Sequence, residues 1–163
     1  MTMGISPHPT RTHLIRACLS PPANFRLGPG KRCSESSQTA RRIAFSVLIS
    51  NTDDHLRNHA FLHVGGDKWQ LSPAFDINPN PEPGPKELTC AIDEYDSAAT
   101  VANLYKVSEH FRLDAASARA MLTEVVTSTQ RWRKVARHLG LSGAEIEHMA
   151  PAFEHPEATV AAQ

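Results

Sequence analysis

Residues 78–86 read NPNPEPGPK, with four prolines and one glycine in nine positions. Each proline fixes its own φ and lacks a backbone N–H, so the stretch can be neither a helix nor a central strand. It has to cross the molecule as an irregular segment. An ordered, rigid connector is the simplest account, ahead of a polyproline docking element. The segment also divides the 163-residue chain, which is long enough for one domain and one core. Short elements precede it and helical periods follow it.

On the front side, Ile43, Val47 and Leu48, with Ala44 and Phe45 beside them, recur at helical spacing. This predicts a largely buried helix over 39–50. Residues 51–58 (NTDDHLRN) are polar and bond readily to their own backbone, which predicts a loop. Residues 59–64 (HAFLHV), the Gly65-Gly66 pair and residues 68–71 (KWQL) carry a β-hairpin signature. Pro73 halts the second strand, and Asp76 follows in a loop.

Behind the proline segment, Val101, Leu104, Tyr105 and Phe111 share one stripe of a helix expected over about 97–111. Asp114 suits the N-cap of a long helix running to about residue 138. Met121, Leu122, Val125, Val126, Trp132, Val135 and Leu139 form its apolar face, and Gly140 stops it. In this register Trp132 packs inward, while Arg131, Arg133, Lys134 and Arg137 face solvent. Ser142 and Glu145 make a capping box for a last short helix, which Pro151 is expected to end or kink. Residues 1–38 hold five prolines and a Ser cluster without a sustained period, which reads as a disordered or non-homologous leader.

Charge and cysteine content exclude several classes. The net charge is zero, so it gives no reason to expect nucleic-acid or membrane binding. The charge is unevenly spread. Residues 1–44 carry seven Lys/Arg and one acid, and the remainder carries ten Lys/Arg and sixteen acids. An acidic body fits a solvated surface, and it also fits a site that gathers divalent metal. Cys18, Cys33 and Cys90 contain no CxxC pair, which argues against a disulfide framework or a zinc knot and for a reducing cytoplasm. Cys90 has no basic neighbour and reads as passive. No apolar run is long enough to span a membrane. His55, His59 and His63 recur every four residues, but in a loop and strand that spacing does not converge on a metal. They are read as structural.

One constellation carries chemistry. Phosphoryl transfer needs positioning and charge neutralisation more than covalent participation. Its metal side can be built from an Asp that orients the acceptor hydroxyl, an Asn five residues on, and a second Asp across a hairpin. Asp53 and Asn58 have that spacing, a hairpin signature follows, and Asp76 comes next. Magnesium takes hard oxygen ligands and keeps several waters, so two or three side chains suffice. Arg57 lies beside the site and could neutralise phosphate charge. His55 could hold the loop by bonding a carbonyl or Asp76.

Residues 50–63 (SNTDDHLRNHAFLH) and 69–79 (WQLSPAFDINP) resemble the hallmark segments of the HipA family, the toxin kinases of bacterial toxin–antitoxin systems and their relatives. Residues 40–49 (ARRIAFSVLI), 90–97 (CAIDEYDS) and 107–153 extend the likeness, which covers about 39–155. The resemblance implies an α+β, mostly helical fold. It would be the C-terminal lobe of a protein-kinase-like (HipA-type) architecture with one β-hairpin, followed by a tail at 156–163. It further implies a serine/threonine kinase dependent on ATP and Mg²⁺. Asp53 would be the catalytic base, Asn58 and Asp76 the metal ligands, and His55 and Arg57 supports on the cofactor side. A HipB-like helix-turn-helix antitoxin and an N-terminal kinase lobe are the partners it implies, with a protein substrate and a cytoplasmic location. This chain departs from the family pattern in residues 1–38, which contain no Gly-rich phosphate loop. The GPGK at 28–31 lacks the length and the flanking strand for one. The expectation is therefore a C-terminal catalytic-lobe piece with weak ATP affinity. The competing readings are a non-catalytic toxin–antitoxin interaction module and a decayed remnant of such a kinase.

Overall fold

The computed structural model describes residues 35–63, 65, 69–93 and 95–162. Of the leader expected over 1–38, residues 1–34, with the GPGK stretch, Cys18 and Cys33, lie outside the described residues, whereas 35–38 are not disordered but open a helix.

Helix α1 (Glu35–Leu48) starts four residues before the expected 39 and ends two before the expected 50. Its last five residues, 44–48, are all buried, which marks a central helix rather than a surface one. Ala40, Ala44, Phe45 and Leu48 face the main core, while Val47 faces a smaller cluster with Leu88 and Ala99. The helix stops in a Schellman-type turn. The Ser50 N–H donates to the Val47 carbonyl (3.2 Å) and the Asn51 N–H to the Ser46 carbonyl (2.8 Å). The left-handed position of this turn, usually glycine, is held by Ser50 at φ 54°.

The hairpin forms where expected but is shorter. Strand β1 (Phe61–His63) pairs antiparallel with β2 (Trp69–Leu71), with Leu62 opposite Gln70. Among the described residues this is the only sheet. Residues 78–86 contain no helix or strand, as the prolines require.

The helix expected over 97–111 is a short α2 (Val101–Lys106), capped by the Thr100 side chain and followed by a 3₁₀ turn (Ser108–Phe111). Tyr105 is exposed, so it falls off the expected apolar stripe. Asp114 caps α3 (Ala115–Thr129) by accepting from the Ser117 N–H. The single long helix expected to reach 138 is in fact two, α3 and α4 (Trp132–His138). At the break the Arg131 N–H reaches the Ser128 carbonyl in a 3₁₀-type bond, and the Thr129 hydroxyl bonds the Val126 carbonyl (3.0 Å). Gly140 (φ 83°) then ends α4: its N–H donates to the Arg137 carbonyl and the Leu141 N–H to the Ala136 carbonyl.

The Ser142–Glu145 capping box opens α5 (Gly143–Phe153). Pro151 does not end it, since the helix runs on to Phe153. Arg133 is also not freely solvated as expected. It binds Glu147 (2.6 Å) and Glu154 (2.9 Å) and lies over the Trp132 ring. Glu147 lies on α5 and Glu154 at its C-cap, seven residues on, with Pro151 between them, so one guanidinium brackets the turn from which the proline removes an N–H. Trp132 stacks on Phe153 beneath this bracket, with centroids 4.6 Å apart.

The expected tail forms α6 (Pro156–Val160) and binds back to the body. The Glu157 carboxylate accepts from the Val101 N–H at the start of α2 (2.7 Å), and His155 Nε2 donates to the Leu48 carbonyl (3.1 Å). The main core lies between α1 and α3–α5, so α1 carries the segment that follows it on a rigid base.

Candidate active site

Loop 50–58 leaves the buried end of α1 and closes on itself before the hairpin. Asp54 is buried, and His59 Nε2 donates to its carboxylate (3.0 Å). Between them the chain turns through a 3₁₀ helix (Leu56–Asn58), with the Asn58 N–H on the His55 carbonyl (2.8 Å). This turn sends Leu56 and Arg57 outward and Asn58 inward, where it is 7% exposed.

The Asp76 loop meets this turn. Asp76 adopts φ 52°, a left-handed conformation that Asp tolerates better than most residues. Its backbone carbonyl accepts from Asn58 Nδ2 (3.4 Å), and its carboxylate accepts from Asn78 Nδ2 (2.9 Å). The Asp76 side chain is exposed. The structure thus brings Asn58 and Asp76 together across 18 residues of sequence. Asp53 is exposed on the same loop, and among the described residues no hydrogen bond or ion pair engages its carboxylate.

His55 departs from expectation. It bonds neither Asp76 nor a carbonyl through Nδ1, which is buried without a partner among the described residues. Arg57 is exposed at the middle position of the 3₁₀ turn. His59 pairs with Asp54, and His63 packs against Trp69 on the hairpin (5.1 Å between centroids). A cavity of about 20 Å³, room for one water, lies behind Asn58 and is lined by Arg42, Asp54, His59 and Phe75 among others.

The sequence reading missed the residues that join the two loops. Asn51 is 1% exposed. Its Oδ1 accepts from the Asn78 N–H (3.1 Å), and its Nδ2 donates to Ser46 Oγ (3.3 Å). Asn80 donates its N–H to the Ser50 carbonyl (3.0 Å) and its Nδ2 to Thr52 Oγ1 (3.1 Å). The Thr89 N–H closes the seam on the Thr52 carbonyl (2.8 Å). Lys86 caps the Asn80 carbonyl (3.0 Å); burial pushes its ammonium below the ordinary lysine range, with Glu82 pulling the other way. The density of Asn and Asp over 51–58 and 76–80 was the available signal. Nothing in a single sequence says which of those polar side chains is buried.

The donor chemistry of these residues fits magnesium. Asn58 spends its NH₂ on the Asp76 backbone carbonyl, which leaves its Oδ1 as an oxygen donor on one loop, while the Asp76 carboxylate is exposed on the other. A magnesium ion needs one or two such groups, with water and substrate phosphates completing its shell. Among the described residues no group of three or more His, Cys, Asp or Glu converges as a metal cluster. No described helix is long and apolar enough to cross a membrane.

No curated protein and no solved structure matches the chain. A family model, the HipA-like C-terminal domain, matches residues 25–133, about two thirds of the chain. The match spans α1, the polar loop, the hairpin, the Asp76 loop, α2 and α3. With that extent of agreement, and a mostly helical α+β fold bearing one hairpin, this chain belongs to the HipA-like C-terminal domain family.

Proposed function

We propose that this chain forms the metal and acceptor side of a serine/threonine phosphotransferase site, with ATP as the donor. The pairing of Asn58 with Asp76 carries the reading, because a hydrogen bond from the Asn58 side chain to the Asp76 backbone ties together the two loops that bear the candidate oxygen donors. Asn58 Oδ1 and the Asp76 carboxylate would hold Mg²⁺, which when bound would neutralise charge on the donor phosphates. Asp53, exposed at the loop's outer side, would take the proton from a protein Ser or Thr hydroxyl as its oxygen attacks the γ-phosphorus and ADP leaves. Arg57 would offset phosphate charge from the rim, and His55 would support the turn. Among the described residues the hairpin is the only sheet, so the adenine and most phosphate contacts are assigned to an N-terminal lobe joining this one. A HipB-like helix-turn-helix antitoxin is the regulatory partner that family membership favours.

Isothermal titration of this chain with Mg-ATP should show no binding tighter than about millimolar, about 4 kcal/mol. Tight binding would refute the assignment of nucleotide contacts to another lobe. With that lobe supplied, Asp53→Ala and Asp76→Ala should each cut phosphate transfer by at least about 100-fold. Turnover unchanged in either variant removes that residue from its role.

A second reading, a non-catalytic toxin–antitoxin interaction module, is favoured by the apolar surface around the hairpin. Leu56, Phe61, Leu62, Trp69 and Phe75 are all exposed. Partner binding lost in Trp69→Ser, with no transfer in the completed protein, selects it.

A further inference from the structure

We propose that Asn51 is a positioning residue that fixes the direction of the Asp76 carboxylate. The sequence reading gave it no role, and it contacts neither candidate metal ligand directly. It is 1% exposed and anchored twice to α1: its N–H donates to the Ser46 carbonyl (2.8 Å) and its Nδ2 to Ser46 Oγ (3.3 Å). The remaining polar atom, Oδ1, accepts from the Asn78 N–H (3.1 Å). Asn78 in turn donates Nδ2 to Asp76 Oδ1 (2.9 Å).

A chain of hydrogen bonds therefore runs from the core helix through Asn51 and Asn78 to the exposed carboxylate. Asp76 needs such restraint, because its left-handed backbone (φ 52°) is sparsely populated and persists only where neighbours determine it. Asn58 grips its carbonyl and Asn78 its carboxylate, but both grips hold only if the turn 76–78 stays in register with the core. Asn51 supplies that register, because its side chain holds the Asn78 backbone from inside the core. Groups that orient metal ligands in this way typically change affinity by about 10- to 100-fold when removed. The proposal rests on the phosphotransferase reading only for what the carboxylate does, not for how it is held.

The test uses the full chain, labelled for NMR and titrated with Mn²⁺. In Asn51→Leu, which keeps volume and loses the acceptor, the Asp76 and Asn78 signals should shift and the Asp76 backbone coupling should leave its left-handed value. Mn²⁺ affinity should fall about tenfold. Asn51→Asp keeps an acceptor for the Asn78 N–H and lets the Ser46 hydroxyl donate instead, so it should restore the Asp76 signals. A merely structural asparagine would show no such selective rescue. Unmoved Asp76 and Asn78 signals in Asn51→Leu overturn the proposal, whether or not Mn²⁺ binds. Moved signals in a chain that never binds Mn²⁺ support it and sink the metal reading alone. Should Asn51→Leu fail to fold, the wild-type Asn78 amide decides. Protection from exchange supports the proposal, and exchange as free as that of an exposed loop amide overturns it.

Discussion

Two non-glycine residues in left-handed backbone, Ser50 and Asp76, stand at the entrances to the two loops of the site. Such conformations cost on the order of 1–3 kcal/mol each and concentrate where geometry matters more than stability. At Ser50 the cost is doubled in kind, because its hydroxyl is also buried without a hydrogen-bond partner among the described residues. Glycine would relieve both, against a loss of chain entropy in the unfolded state. Ser50→Gly should therefore raise stability by about 1 kcal/mol in urea unfolding. Asp76 differs, because its side chain is exposed and held by Asn78, and the proposed metal role gives a reason to keep it. A destabilised Ser50→Gly would show that the hydroxyl has a partner that outweighs the backbone strain.

At the scale of elements, α5 persists through Pro151 because of its neighbour. Arg133 of α4 holds Glu154 and Glu147, and these carboxylates hold the guanidinium proton more firmly than usual. Reciprocally, the Arg133 hydrogen bonds lower both glutamate pKa values from the ordinary 4.5. A lowered carboxylate pKa contributes stability that is present above the unfolded value and lost as pH falls through the folded one. Arg133→Met should thus lower the melting temperature most above pH 5, and the deficit should shrink as pH drops below about 4.5. A deficit independent of pH would assign the loss to the guanidinium's packing on Trp132 instead. The proline segment shows the same dependence on neighbours. Its irregular backbone is ordered because Asn78 and Asn80 fasten it to loop 50–58 and Lys86 ties it to itself through the Asn80 carbonyl.

Over the whole molecule, the C-terminal segment returns to the helix that carries the site. His155 donates to the Leu48 carbonyl at the end of α1, and burial pushes its imidazole below the ordinary 6.5, with the Leu48 bond opposing. The folded state therefore takes up this proton less readily than the unfolded chain. The His155 contribution is complete above about pH 6.5 and is lost as pH falls from there through the lowered folded value. His155→Gln, which keeps a donor for the carbonyl, should flatten the loss of stability between pH 7 and pH 5 in thermal unfolding. A slope identical to wild type would place the titration elsewhere.

Signals confined to a few neighbouring residues were legible without coordinates. The Asp114 cap, the Ser142–Glu145 box, the Gly140 stop and the irregularity of 78–86 each depend on local backbone chemistry. So does the Asp53–Asn58 spacing, although what those residues do there is proposed above. Tertiary structure alone decided that Asn58 meets Asp76, that Asn51 is buried, that the 115–138 helix breaks, and that α5 runs through a proline. Each depends on a partner 14 or more residues away or on burial by the assembled core. Burial sets the energetic value of a polar side chain, and it exists only once the core has formed. The sequence therefore determined the caps and turns that bound many of these elements, and packing around α1 determined where helices break or continue and which of their side chains face one another.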